Sequence, residues 1–184
     1  ISCATSATLM KAPCFTNSPA SRSSKPVHSH EDLMAIRQKS IITVKMSAEG
    51  RSHSRCDLAV RDLTSVIDEP VERDGTNQGF SPTETAFAAF IGCTNTIGHK
   101  CAANLGIDIG NLSFAMEVDF DRRGVLLMEE VEVPFKAIRL DVASDGSATQ
   151  EELDRVAQDT AKYCAISKLY QNSGTDLTVT WRTL

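Results

Sequence analysis

A helix between Ser81 and Gly106 constrains the fold more than any other segment of the sequence. Ser81 is a good N-cap, Pro82 suits the first helical position, and Glu84 completes an S-x-x-E capping box. Gly106 supplies a C-terminal stop. Apolar and small residues occupy more than one side of this helix, which predicts that it is buried and that a second helix can approach it closely.

Strand patterns lie on both sides of this helix in the sequence. The clearest alternation runs over residues 112–120, and the DRRG turn after it predicts an antiparallel hairpin with a strand at Val125–Val133. Other strands are predicted at Ile41–Met46, within Cys56–Asp68, at Lys136–Val142 and around Leu177–Trp181, and helices at Glu31–Lys39, at Glu151–Tyr163 and from Cys164 to Gln171. The element order predicts an α+β fold with antiparallel sheet.

The composition of residues 1–30 differs from that of the rest of the chain. This segment is rich in serine, carries three basic residues, and has no acidic residue before Glu31. Such a composition is typical of a disordered tail and of a targeting peptide. We therefore expect a disordered or targeting-like extension over residues 1–30 and one domain over residues 31–184.

Charge and cysteine usage narrow the class of protein. The net charge of −5 and the pI near 5.4 give no basic footprint for nucleic acid or for an anionic membrane, so neither is an expected partner. The six cysteines form no CxxC pair and no zinc-like cluster with histidine. We expect free or reactive thiols, no metal, and a cytoplasmic location, or an organelle if residues 1–30 are a transit peptide.

Two cysteines lie on the predicted helices. Cys93 is inside the first helix, and Cys164 is near the end of the second. Free cysteine is among the most commonly buried residues, so the residues alone favour core packing over chemistry for each. The residues alone do not bring the two sulfur atoms together.

Several segments resemble the OsmC/Ohr superfamily of osmotically inducible and organic hydroperoxide resistance proteins. The stretch GFSPTETAFAAFIGCTNTIGHKCAANLGIDI is similar to the central-helix motif of that superfamily, and the DEP loop, the PFKAIRLDV strand and the KYC segment are similar to its flanking parts. The resemblance covers about residues 41–184. It implies an OsmC-like fold in which antiparallel sheets wrap around two central helices in an intertwined homodimer, with two sites at the subunit interface.

The resemblance also implies a function, the thiol-dependent reduction of organic hydroperoxides in oxidative-stress defence. On this analogy Cys93 attacks the peroxide, and Cys164 resolves the sulfenic acid as a disulfide. An external dithiol, lipoyl-type in the Ohr branch, then reduces the disulfide, and no bound cofactor is implied. The alternatives are a small-molecule or lipid-binding protein on the same fold, and a redox sensor.

The residues that would activate the first cysteine are less clearly marked. Peroxidase members pair an arginine with a glutamate ten residues before that cysteine, a position that is Thr83 here. Glu84 lies nine residues before it, about 180° around the helix, and is equally explained by the capping box. Arg55, in the SHSR stretch, is the candidate arginine, with Arg61 and Arg73 as alternatives.

Three further observations leave alternatives open. His53 and His99 are possible bases, although solvated or satisfied histidines are more common. Cys101, eight residues after Cys93, is an alternative resolving thiol or a core residue. Ala165 follows Cys164 where many relatives have proline, which alters the local backbone requirement.

Overall fold

The computed structural model describes residues 40–184, so the predicted extension over residues 1–30 and the predicted helix Glu31–Lys39 lie outside the described residues. The described part has six strands and three α-helices. They are β1 (Ser47–Gly50), β2 (Cys56–Val60), β3 (Leu63–Ile67), α1 (Pro82–Leu105), β4 (Leu112–Phe120), β5 (Phe135–Ser144), α2 (Gln150–Tyr163), α3 (Ala165–Asn172) and β6 (Asp176–Thr183). The predicted α+β class is confirmed. No helix among these residues combines the length and the apolar composition of a membrane span.

The strands form two separate three-stranded sheets. The N-terminal sheet has the order β1-β2-β3 and is antiparallel throughout. The C-terminal sheet has the order β4-β5-β6, in which β4 and β5 are antiparallel but β5 and β6 are parallel. This parallel pair corrects the expectation of antiparallel sheet alone. It arises because the chain leaves β5 through α2 and α3, and such a helical crossover returns the next strand in the same direction.

The N-terminal sheet differs from the prediction at two points. Residues 41–46 form no strand, and the first strand is β1, Ser47–Gly50. The predicted segment Cys56–Asp68 is two strands, β2 and β3, that pair across a tight turn. Arg61 makes this turn with a positive φ of 55°. Glycine and asparagine are the residues that usually adopt this conformation, and arginine seldom does. Because an arginine stands here, the residue type at position 61 did not indicate the turn.

The strand predicted at Val125–Val133 is also wrong. Residues 121–134 fold back on themselves, with amide bonds from Leu126 to the Arg122 carbonyl (3.0 Å) and from Met128 to the Arg123 carbonyl (3.0 Å). A bond from the Asp121 amide to the Pro134 carbonyl (2.8 Å) closes the segment. The partner of β4 is β5, because β5 carries the apolar residues that the sheet can bury, whereas the VLLM residues remain exposed.

The predicted capping of α1 is confirmed at both ends. The Ser81 side chain accepts a bond from the Glu84 amide (3.4 Å), and the Glu84 carboxylate accepts one from the Ser81 amide (2.8 Å). Gly106 ends the helix with a φ of 69°, which glycine adopts without steric cost. The α1 axis is therefore fixed from both termini.

The hydrophobic core lies between the C-terminal sheet and the helices. The inward face of β5 carries Ile138, Leu140 and Val142, all at most 1% exposed, as the period-two pattern predicted. They pack in one cluster with Phe90 of α1 and with residues of α2, α3 and β6. None of the described residues of β1, β2 or β3 belongs to this cluster. The N-terminal sheet therefore gains little of its stability from the core of its own chain.

Close contact between α1 and β6 depends on a glycine. A Cβ atom at Gly98 would lie 2.7 Å from the ring of Trp181, which is itself almost fully buried. Only a residue without a side chain therefore allows the helix this close to the indole. The contact packs α1 against β6 at a point five residues after Cys93.

A buried carboxylate organises the loop that leads into α1. Asp68 accepts hydrogen bonds from the amides of Glu69 (2.9 Å), Thr76 (3.1 Å) and Gln78 (3.2 Å). The bond from the Thr76 hydroxyl, together with these amides, holds the pKa of Asp68 well below its usual range. This network fixes residues 68–80 and so the direction in which α1 begins.

Candidate active site

Cys93 and Cys164 are neighbours in the folded chain. α1 carries Cys93, and the junction between α2 and α3 brings Cys164 against it. Burial, and a side-chain hydrogen bond with Cys93, raise the pKa of the Cys164 thiol to about 11. Cys164 therefore rests as a neutral thiol beside the Cys93 sulfur. Both cysteines are free, not joined by a disulfide.

The backbone at Cys164 explains how its sulfur reaches this position. Cys164 has φ −71° and ψ 111°, an extended conformation that ends α2 and begins α3. Its sulfur accepts a hydrogen bond from the Ser167 amide (3.4 Å) and so serves as the N-cap of α3. The break between the two helices directs the sulfur toward α1 instead of along the surface.

Ala165 occupies a position that suits proline. It is the first residue of α3, where proline is favoured, and Cys164 before it already has the extended backbone that proline requires. We expect Ala165→Pro to leave the fold unchanged and to stabilise it by up to about 1 kcal/mol, because proline restricts the unfolded chain. Urea denaturation of both proteins would measure the difference. A loss of stability would show that this backbone is not the one that α3 needs.

The two cysteines differ in access to solvent. Cys93 is half-buried, whereas Cys164 is fully buried, with 0% of its surface exposed. Cys164 lines a cavity of about 20 Å³ together with Thr94, Ser167 and Trp181. A volume of this order holds about one water molecule. Outside molecules therefore meet Cys93 more readily than Cys164.

Glu84 is bonded in the helix cap. Its carboxylate accepts the Ser81 amide, and the Ser81 bonds lower the pKa of Glu84. Along the helix it lies nine residues from Cys93, about 13 Å at the usual rise. The structure therefore shows the capping role and does not bring Glu84 to the cysteine pair within one chain.

Arg55 lies in the N-terminal sheet. Its guanidinium donates to Asp57 (2.8 Å), and this bond with Asp57 raises the pKa of Arg55. Arg51 binds the same carboxylate (3.1 Å), and both arginines line a surface cavity of about 550 Å³. Within residues 40–184 the side-chain partner of Arg55 is Asp57, and no bond joins it to either cysteine.

The remaining candidates lie apart from the cysteine pair. Arg73 pairs with Glu69 (2.9 Å), and Arg61 is exposed in the β2–β3 turn. Both ring nitrogens of His99 contact backbone carbonyls, of Asn95 (2.9 Å) and Gly110 (3.1 Å). His53 is exposed. These surroundings match the solvated or satisfied roles that are usual for such residues.

Cys101 is a core residue in this structure. It is almost fully buried on α1, and burial raises the pKa of its thiol, opposed by a hydrogen bond with Thr160. Its hydrogen-bond partner is therefore on α2, about one turn before Cys164. Among residues 40–184, no group of three or more His, Cys, Asp or Glu side chains is arranged to hold a metal ion.

An apolar groove lies on the surface of α1 next to β4. Its volume is about 320 Å³, and Phe80, Phe87, Ile91 and Met116 are among its lining residues. Glu84 stands at the same groove. Apolar lining with a single charged group is typical of sites for organic ligands.

Thr94 and Ser167 were not identified as site residues from the sequence. Thr94 is the residue after Cys93 and is almost fully buried against the Cys164 cavity. Ser167 could have been found, because a helix that begins at Cys164 places residue 167 at the third helical position, where the amide points back to the cap. Nothing in the spacing indicated that Thr94 would face Cys164.

Comparisons with known proteins agree with this architecture. The family model described as OsmC-like protein matches residues 75–180. An OsmC-like protein from Mycoplasma pneumoniae has a similar structure, with a TM-score of 0.66 at 14% identity over 78% of this chain and 98% of that chain. An organic hydroperoxide resistance protein OsmC from Legionella pneumophila gives 0.59 at 18% identity, over 78% and 98% of the chains. The organic hydroperoxide resistance protein OhrB of Bacillus subtilis gives 0.55 at 17%, over 77% and 98%.

The fold and the matched segment define the class of protein, an α+β domain with its long central helix against a mixed sheet. The chain belongs to the OsmC-like protein family, as its resemblance to the OsmC/Ohr superfamily indicated. A comparison with curated protein sequences found no match.

Proposed function

We propose that this protein reduces organic hydroperoxides with thiols, through Cys93 and Cys164. The observation that carries the proposal is the contact between the two cysteines, which lie 71 residues apart in sequence (164 minus 93). Two free thiols in contact, one of them accessible and the other buried, suit a cycle in which the first is oxidised and the second forms a disulfide with it.

The proposed cycle follows from this asymmetry. The Cys93 thiolate attacks one peroxide oxygen, the O–O bond breaks, and the alkoxide takes a proton and leaves as the alcohol. The sulfenic acid left on Cys93 is attacked by Cys164, which gives a disulfide and releases water. An external dithiol then supplies two electrons and two protons, and both thiols are restored.

The similar structures support a role in stress defence. The Legionella and Bacillus proteins are both described as organic hydroperoxide resistance proteins. The apolar groove on α1 supports substrates with an alkyl or aromatic body, because Phe80, Phe87 and Ile91 offer apolar surface on and beside the helix that carries Cys93.

We further propose that the protein acts as a homodimer. Apolar residues of the N-terminal sheet, including Leu58, Val60 and Ile67, line an open cavity of about 360 Å³ instead of joining the core. A second copy is the occupant that would bury this face and pair with β4 and β6, the edge strands of the C-terminal sheet among residues 40–184. Light scattering should give a mass near twice 20.0 kDa, and a mass of one chain at micromolar concentration would contradict the dimer.

In such a dimer we assign to Arg55 the role of orienting the peroxide. Its sheet lies outside the core of its own chain, so its position relative to Cys93 depends on the second copy. Glu84 lies at the groove on α1 and is already bonded in the cap. We place this chemistry in a reducing compartment, where thiols are maintained.

The test is consumption of cumene hydroperoxide by the purified protein, with dithiothreitol and then dihydrolipoamide as reductant. Trp181, the single tryptophan of the chain, lines the same cavity as Cys164. Its fluorescence should therefore change when peroxide is added without reductant and return when the dithiol is added. If both thiols remain free by mass after peroxide, a binding function replaces this proposal. If a disulfide forms without turnover, a redox sensor does.

A further inference from the structure

The Cys93–Cys164 pair is open to an outside molecule from one side only. Cys164 is fully buried, and the cavity that it lines has the volume of about one water molecule. Phe90 and Trp181, both nearly fully buried, form part of the wall of that cavity. A dithiol reaches the Cys164 sulfur only if this packing opens, whereas Cys93 is half-exposed.

Amide donors beside Cys164 assist its sulfur as it leaves the disulfide. Because the pKa of this thiol is raised overall, the access of Cys93, and not the leaving ability of Cys164, sets the direction of attack. The Cys164 sulfur caps α3 and accepts the Ser167 amide at 3.4 Å. The Ile166 amide also points to it and, like that of Ser167, lowers the pKa of Cys164. These amides and the positive end of the helix dipole stabilise negative charge on the sulfur at the moment it leaves. Burial outweighs them in the reduced protein, so the departing sulfur then takes up a proton.

We propose that an external dithiol reduces the oxidised protein by attacking the sulfur of Cys93 and expelling Cys164. The proposal rests on the proposed function, in which a Cys93–Cys164 disulfide forms. The reductant thiolate forms a bond to Cys93, the Cys93–Cys164 bond breaks, and the electron pair leaves on Cys164, which is protonated. The second thiol of the reductant then attacks the reductant sulfur of this mixed disulfide and releases the Cys93 thiolate and a cyclic disulfide.

The direction of this exchange has a consequence for the site. Peroxide and reductant both react at Cys93, so both use the same opening in turn. The access to Cys93 therefore bears on the reductant as well as on the peroxide.

The experiment maps the first attack with a monothiol, which stops at the mixed disulfide. The disulfide is formed with diamide so that the result does not depend on peroxide turnover, and the other thiols are blocked with N-ethylmaleimide. 2-Mercaptoethanol is then added, the reaction is quenched with acid at early times, and the adducts are located by peptide mass spectrometry. The same mapping in urea is the control, since there both sulfur atoms are exposed.

In the folded protein we expect at least about tenfold more adduct on Cys93 than on Cys164, and in urea we expect comparable amounts on both. Equal adducts in the folded protein, or an excess on Cys164, would overturn the proposed direction. Failure of diamide to form the disulfide would overturn it as well. A protein that shows the expected adducts but consumes no peroxide would contradict the peroxidase proposal and leave the direction of exchange standing.

Discussion

Replacement of Cys93 by serine is expected to reduce the consumption of cumene hydroperoxide to the uncatalysed rate. The reaction needs a sulfur nucleophile, because a serine hydroxyl is neither ionised near neutral pH nor able to carry the oxygen as a sulfenic acid. Cys93 is the half-buried member of the pair, and it is the cysteine that hydrogen-bonds the Cys164 thiol. Serine differs by one atom, so the fold should be retained.

Cys101→Ser is the matched control for this variant. It makes the same change on the same helix, eight residues further on, at a thiol that hydrogen-bonds with Thr160. We expect it to keep most of the activity. Repeated turnover by the Cys93→Ser protein, with normal folding by circular dichroism, would contradict the assignment of Cys93. Loss of turnover in the Cys101→Ser protein would bring back the alternative resolving thiol.

The parts of the fold that the sequence predicted are those specified by local contacts. The Ser81–Glu84 capping box, the stop at Gly106 and the buried face of β5 each depend on residues within a few positions of one another. The alternating residues of β4 and β6 were predicted for the same reason, since one face of each strand meets the core. Sequence patterns therefore predict features that depend on residues close together in the chain.

The errors arose where a distant partner or an unusual backbone decides the structure. Val125–Val133 has strand-like composition, but bonds within residues 121–134 hold a closed turn, and Leu127 takes a positive φ of 57°. In the tight turn at Arg61 and Asp62 the positive φ falls on the arginine, which seldom adopts this conformation. The parallel pairing of β5 and β6 depends on where α2 and α3 return the chain, which strand patterns do not encode.

At the candidate site, too, local features could be predicted from the sequence, whereas contacts between distant segments could not. The positions of Cys93 inside the first helix and of Cys164 near the end of the second could be predicted. Their contact could not, because it depends on how α1 crosses the α2–α3 junction. The capping of α3 by the Cys164 sulfur likewise becomes visible only once the helix break is located. The placement of Arg55 outside the core of its own chain had no sequence signal, since the strands before the helix resemble ordinary core strands.

Replacement of Cys164 by serine is expected to preserve the first reaction with peroxide and to block the second. Serine is a good N-cap, so its hydroxyl can accept the Ser167 amide and α3 should remain capped. Without the second sulfur, the sulfenic acid on Cys93 has no partner for a disulfide. Excess peroxide then oxidises it further, to sulfinic acid.

With one equivalent of peroxide and no reductant, the Cys164→Ser protein should gain the mass of one oxygen atom and react with dimedone at Cys93. The unmodified protein should instead lose two hydrogen atoms as the disulfide forms. Turnover with dihydrolipoamide should fall steeply. Without Cys164 no disulfide forms, so the dithiol must reduce the sulfenic acid on Cys93 directly, and we expect this reaction to be slower than exchange with a disulfide. If the serine variant forms a disulfide from Cys93 to Cys101, α1 must distort by more than a side-chain rotation. Disulfide formation with Cys164 would then be one of two ways to resolve the sulfenic acid on Cys93. A stable sulfenic acid in the variant would instead show that Cys164, at the α2–α3 junction, is the residue that resolves it.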